Sequence, residues 1–192
     1  CGSTLVSRLL RAIPGFAVLS EPPPVDDVLR AHFRVPGLSR QRQVSWLRAV
    51  VAGLSRQRRP REERLVLKLD PSSAVGLPLL LEAFPGVPWV FVHRSPVDVL
   101  VSQMRRRGLH TSPGVLEPEL FGLAPGEPER LSPETYTARV LAAILRAVLE
   151  APADGRLLVS YEELPGAVAE RVAPHFGLTA DETARAEMAL LA

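Results

Sequence analysis

Arg94 and Ser102 frame the segment of this sequence whose residue types carry the clearest chemistry. Trp89 to Val92 form a short aromatic and β-branched run, the pattern of a buried parallel strand. Arg94 follows it at once. Ser95 then reads as the N-cap of a helix, Pro96 as its first residue and Asp98 as the N3 acid of a capping box. Helical spacing groups Val97, Leu100, Val101 and Met104 on a face expected to be buried. Ser95, Asp98, Ser102 and Arg105 fall on a polar one. A guanidinium, a helix N-terminus and a hydroxyl then converge beyond the carboxyl end of a strand, which suits an anion. The same features also stabilise strand-to-helix junctions that bind nothing, so the motif alone leaves both readings open.

Three other places hold polar residues of the same kind. Gly2-Ser3-Thr4 leads directly into Leu5, Val6, Leu9, Leu10 and Ile13, an apolar stripe at helical spacing. A Gly-Ser-Thr cluster at a helix start offers backbone amides and hydroxyls to a phosphate. Lys68 is the only lysine; every other basic side chain is arginine. In so arginine-biased a sequence, a single lysine at a strand end reads either as a surface lysine or as a position where arginine would not serve. A compact ammonium differs from a planar fork in reach and in its capacity to donate a proton. Tyr161 ends the last apolar run, where it either packs in the core or meets a ligand.

The elements that must position these residues alternate between strand and helix. Phe16–Leu19, Leu65–Leu69, Trp89–Val92 and Leu157–Ser160 read as strands. The prolines of Glu21-Pro22-Pro23-Pro24 predict an extended segment, and Val25–Phe33 a short helix. Ser39 caps a longer helix whose inner face carries Val44, Leu47, Val50, Val51 and Leu54. Ser55–Arg64 reads as a solvated, arginine-dense connection. Asp70-Pro71-Ser72 starts a helix to about Phe84, and Ser132-Pro133-Glu134 one through Leu149. Helices near Gly166–Phe176 and Ala180–Leu191 close the chain. Gly108–Leu131 is too long for an ordinary connection and reads as a lid, a binding loop or a disordered segment. Its Leu116, Leu120, Phe121 and Leu123 either line a pocket or pin the loop to the body. The expected fold is α/β, a three-layer αβα domain over residues 1–192 with a mostly parallel sheet. Ligands of such sheets sit outside the carboxyl ends of the strands. Gly2-Ser3-Thr4, Lys68, Arg94 and Tyr161 all fall at such ends, and four polar features on one rim favour a ligand site over a purely structural one.

Composition narrows the class. At 192 residues with 46% hydrophobic and 23% charged residues, the chain is of ordinary globular make-up. A net charge of +2 is too small to imply nucleic-acid binding. One cysteine, Cys1, provides neither a disulfide framework nor a metal cluster. No apolar run reaches membrane-spanning length and no secretion signal is visible, so a cytoplasmic protein without a membrane segment is expected.

Taken together, these residues resemble the sulfotransferase family, which uses 3′-phosphoadenosine 5′-phosphosulfate (PAPS) on a P-loop-like α/β fold. The likeness runs over almost the whole sequence. Cys1-Gly2-Ser3-Thr4 resembles the end of the family's 5′-phosphosulfate loop, with Cys1 in place of the usual serine. Arg94 and Ser102 match its 3′-phosphate motif in spacing, residue type and strand-helix context. Leu158-Val159-Ser160-Tyr161-Glu162-Glu163-Leu164 resembles its Tyr-Glu-Asp-Leu segment, whose tyrosine lies near the adenine. The strand and basic residue that the family places before the loop are not in this sequence. The resemblance therefore implies a piece that starts inside the loop and is unstable or inactive alone.

The activity implied is in-line transfer of a sulfuryl group from PAPS to an acceptor hydroxyl or amine, with PAP as product. A small-molecule, glycan or peptide acceptor is expected, and no metal. Such chemistry needs a general base at the acceptor and a cation at the bridging oxygen. By resemblance Glu21 is the first choice of base, Asp70 the second and His93 the third, and Lys68 is the cation. Gly2, Ser3, Thr4, Arg94, Ser102 and Tyr161 would hold the nucleotide. The loop lacks the lysine that a P-loop kinase or GTPase sets before Ser/Thr, which disfavours a small-molecule kinase. A nucleotide-binding domain that has lost its chemistry remains the alternative.

Overall fold

The computed structural model of the protein describes residues 2–56 and 64–192; Cys1 and the stretch 57–63 of the arginine-dense connection lie outside the described residues. The first helix, α1 (Ser3–Leu10), buries Val6, Leu9 and Leu10 on its predicted stripe. It stops at Leu10, and Ile13 is buried in the turn that follows. Strand β1 (Phe16–Ser20) comes next, and Pro22 then turns the chain in extended backbone.

Here the structure corrects the sequence reading. Pro23 and Pro24 begin helix α2 (Pro23–Leu29) instead of forming an extended segment. In a first turn the missing N–H bonds are not needed, and the ring already fixes a helical φ. The helix expected over Val25–Phe33 is broken at Arg30, which separates α2 from α3 (Ala31–Arg34). Helix α4 (Arg40–Ser55) follows the predicted cap, with the Ser39 hydroxyl accepting from the Arg42 N–H.

Strand β2 (Arg64–Lys68) lies parallel to β1, with Phe16 opposite Arg64 and Ser20 opposite Lys68. Asp70 then caps a 3₁₀ turn, Pro71–Gly76, before α5 (Leu77–Ala83). One continuous helix was expected here. Pro78 has no N–H to give to an earlier carbonyl, so the chain re-nucleates at Gly76. Strand β3 (Trp89–His93) and helix α6 (Pro96–Arg105) form the junction that carries Arg94 and Ser102. Long helix α7 (Pro133–Glu150) has Ser132 as its cap, as its sequence predicts. Strand β4 (Arg156–Ser160) pairs in parallel with β3, with Trp89 opposite Arg156 and His93 opposite Ser160. A π-helical stretch, Val168–Val172, runs into α8 (Ala173–His175), and α9 (Glu182–Leu191) ends the described chain.

The fold is α/β with parallel strand pairs between helical layers. Successive residues of β3 show the layering. Val90 and Val92 pack with α1, the π-helical stretch and α9, while Phe91 packs on the opposite side with α7. Val18, Val66 and Val159 join the first of these clusters, so both strand pairs share one core. The segment 108–131 contributes buried Phe121 and Leu123 to the α7 cluster. Phe121 and Leu123 pin it to the body with Leu116 and Leu120 packed against them, and Leu120 also lines a cavity.

Candidate functional site

At the ends of β1 and β2 the chain sets a carboxylate against an ammonium. Glu21 follows β1, and its N–H extends the ladder by donating to the Lys68 carbonyl at 2.6 Å. Its φ is +50°, and among the described residues no other non-glycine takes a positive φ. Such backbone is strained for an L side chain and concentrates at functional sites. The Lys68 Nζ donates to Glu21 Oε1 in an ion pair. Lys68 is mostly covered, with 12% of its side chain exposed, while Glu21 is 47% exposed.

Asp70 stands just beyond Lys68. One carboxylate oxygen accepts from the Ser72 N–H at 2.9 Å and from its hydroxyl at 2.6 Å. The Nδ1 of buried His110 approaches the same oxygen at 3.4 Å, without the alignment of a hydrogen bond. Burial pushes the Asp70 carboxyl up, but His110 and the Ser72 donors outweigh it and hold the group at about 2. A carboxylate held that low keeps its charge and orients partners better than it takes protons. Asp26 on α2 shows the opposite balance. Burial raises it above the ordinary carboxylate range against the pull of its Ser73 hydrogen bond, and the charge of Asp70 raises it further.

At the ends of β3 and β4 three sequence features meet. The Arg94 guanidinium lies 5.0 Å from the centroid of the Tyr161 ring, over its face. A Cβ on Gly2 would lie 3.0 Å from Tyr161 Cδ2 and 2.6 Å from Leu164 Cδ1. Gly2, at φ +81°, is therefore seated against the ring, and a larger residue would be strained there and would displace Leu164. No side chain caps α1 and its first turn carries no acid. The amides of Ser3, Thr4 and Leu5 stand unused by the helix, beside that ring.

Helix α6 departs from its prediction in two ways. The capping box does not form: Asp98 turns to Arg94, with Oδ2 3.4 Å from Nε, and Ser95 makes no side-chain cap. The face expected to be buried is only half covered: Leu100 and Met104 are half-buried, while Val97 is 66% and Val101 47% exposed, and no residue of the helix is fully buried. Ser102 lies exposed on the same helix. An exposed tyrosine with an arginine over its face suits an aromatic ligand bearing an anionic group.

The structure thus gathers the sequence candidates into two sets. Gly2, Tyr161 and Arg94 meet, with Ser3 and Thr4 opening α1 just after Gly2 and Ser102 exposed on α6, while Glu21, Lys68 and Asp70 sit at the ends of β1 and β2. His93 closes β3 half-buried. His110, Asp26 and Glu117 escaped the sequence reading. Glu117 accepts from Arg30 at 3.0 Å and from Arg34 at 2.8 Å, tying segment 108–131 to α2 and α3. No periodicity links these distant residues, and four histidines in the sequence give no reason to single out His110. No helix among the described residues is long and apolar enough to cross a membrane.

The sulfotransferase family profile matches residues 1–182. No curated protein matches the sequence. Among solved structures, the fold is similar to a sulfotransferase domain from the curacin biosynthetic pathway. The TM-score is 0.55 at 16% sequence identity, covering 95% of this chain and 72% of that one.

Proposed function

The chain belongs to the sulfotransferase family, and from that premise we propose that it transfers the sulfuryl group of PAPS in line to the hydroxyl or amine of a small-molecule acceptor in the cytoplasm. The observation that carries the reading is the union of Gly2, Tyr161 and Arg94 at one end of the strands. A nucleotide with phosphates at both ends needs an amide-lined pocket, an aromatic platform and a separate cation. These residues supply all three. The open N-terminus of α1 receives the 5′-phosphosulfate end, with the Ser3 and Thr4 hydroxyls beside it. Tyr161 flanks the adenine, and Arg94 and Ser102 bind the 3′-phosphate.

PAPS supplies a sulfuryl group whose transfer forms an S–O or S–N bond to the acceptor and breaks the S–O bond to the 5′-phosphate. Glu21 takes the acceptor's proton, as the carboxylate most open to an entering molecule at this end. Lys68 places its ammonium where negative charge grows on the departing phosphate oxygen. In the resting chain the two neutralise each other, so a bound anion that draws Lys68 away frees Glu21 to act as base. Asp70, anchored by Ser72 and His110, stays charged and fixes the turn after Lys68.

Titration of the protein with PAP and ADP tests the donor site. PAP should bind at least ten times more tightly; equal binding would remove PAPS from the reading. Radiolabelled sulfate transfer to mixed hydroxyl and amine acceptors then separates an enzyme from a binding domain.

A further inference from the structure

A cavity of about 360 Å³ opens between α2, α3 and α4 on one side and the turns Pro71–Gly76 and Pro118–Phe121 on the other. Its volume suits a small molecule. It adjoins the chemistry described above. Asp26, in its wall, is near enough to Glu21 and Asp70 for their charges to act on it, and Ser72, also in the wall, hydrogen-bonds Asp70.

The charges of the lining are unequally matched. Arg30 is held by Glu117 at 3.0 Å and Arg40 by Glu82 at 2.7 Å. The acids have no such partners: Asp26 and Glu119 form no ion pair among the described residues. Asp26 is half-buried, and its recorded polar contact is the Ser73 hydroxyl at 2.7 Å. Burial raises its proton affinity, and the Ser73 hydrogen bond and the charge of Arg30, itself engaged by Glu117, offset that only in part. Leu29, Phe33, Leu79 and Leu120 supply the apolar remainder of the wall. A molecule with an ammonium group on a compact apolar body would restore the balance.

We propose that this cavity is the acceptor site and that it selects cationic, amine-bearing small molecules, with Asp26 as their counter-ion. The inference rests on the sulfuryl-transfer reading for the word acceptor. The selectivity itself depends on the cavity alone. Arg30 and Arg34, clamped on Glu117, hold the wall formed by Pro118–Phe121 in place. An anionic molecule of the same shape meets two carboxylates and arginines already engaged.

Three phenols of similar shape and different charge make the test: tyramine, 4-ethylphenol and 3-(4-hydroxyphenyl)propionate. Calorimetry on the full chain, with and without PAP, should show tyramine binding at least tenfold tighter than the propionate, with 4-ethylphenol between. Asp26→Asn, which keeps an acceptor for Ser73, should erase the tyramine advantage and leave PAP affinity unchanged. Equal binding of the three phenols by the unaltered chain, or a preference for the propionate, overturns the proposal without any variant. So does an Asp26→Asn protein that folds and keeps the advantage. Failure of PAP to bind defeats the donor reading instead, and the phenol series still decides the cavity's selectivity.

Discussion

Gly2 and the Tyr161 ring are in direct apposition: a methyl group at Gly2 would come within 3.0 Å of Tyr161 Cδ2. The start of α1 and the end of β4, far apart in sequence, are thereby built to one tolerance. Gly2→Ala should lower stability by about 1–3 kcal/mol, because alanine is strained at a positive φ and also collides with Leu164. PAP affinity should fall with it. Denaturant unfolding and calorimetry on the same samples check the pair, and an unchanged protein would show that the loop is not seated on the ring.

Arg94 should read the 3′-phosphate and little else. Losing a charge-assisted contact of about 1.5–3 kcal/mol, Arg94→Ala should bind PAP roughly ten- to a hundredfold more weakly. Its affinity for 5′-AMP should barely change. Equal weakening of both nucleotides would place Arg94 elsewhere on the ligand.

Glu21 and Lys68 should affect turnover far more than donor binding. Removing a positioned base costs about 10²–10⁴-fold in rate, so Glu21→Gln should lose kcat on that scale while PAP still binds. Lys68→Ala should lose kcat comparably, and least with donors whose leaving group needs little charge stabilisation. A Glu21→Gln enzyme with full kcat would assign the proton to another group.

Asp70 should make the fold acid-sensitive over a defined window. Its folded value, about 2, lies below the ordinary 3.8, so its stabilising contribution is complete above about pH 4 and is lost as pH falls through about 2. That shift corresponds to stabilisation on the order of 2 kcal/mol. Unfolding of the unaltered protein and of Asp70→Asn should differ at pH 5 and converge near pH 2. A gap that persists at pH 2 would separate the carboxylate's role from its charge.

Much of this arrangement is legible in the sequence because it is local. Ser39, Asp70 and Ser132 announce helix starts through side chains that reach their own backbone, and Lys68, Arg94 and Tyr161 are placed by the strands they follow. Where several local outcomes are compatible with the same residues, reading fails. Pro22–Pro24 fits an extended chain or a helix start, and Asp98 can cap its helix or turn to Arg94. The apolar spacing of Val97 and Val101 specifies a face without saying what covers it. His110 and Glu117 were hidden for another reason. Their partners, Asp70 and Arg30, lie across the fold, and only tertiary packing brings them together.

Lys68 has one more consequence. It is the sequence's only lysine, so it is the only side-chain amine that an acylating reagent can find. With 12% of the side chain exposed and its ammonium held by Glu21, it should acylate slowly, and faster once that carboxylate is removed. The arginines that carry the rest of the positive charge are inert to such reagents. The chain therefore carries a single side-chain amine at the proposed reaction centre, where occupancy can be read as protection of that lysine from labelling without introducing a probe.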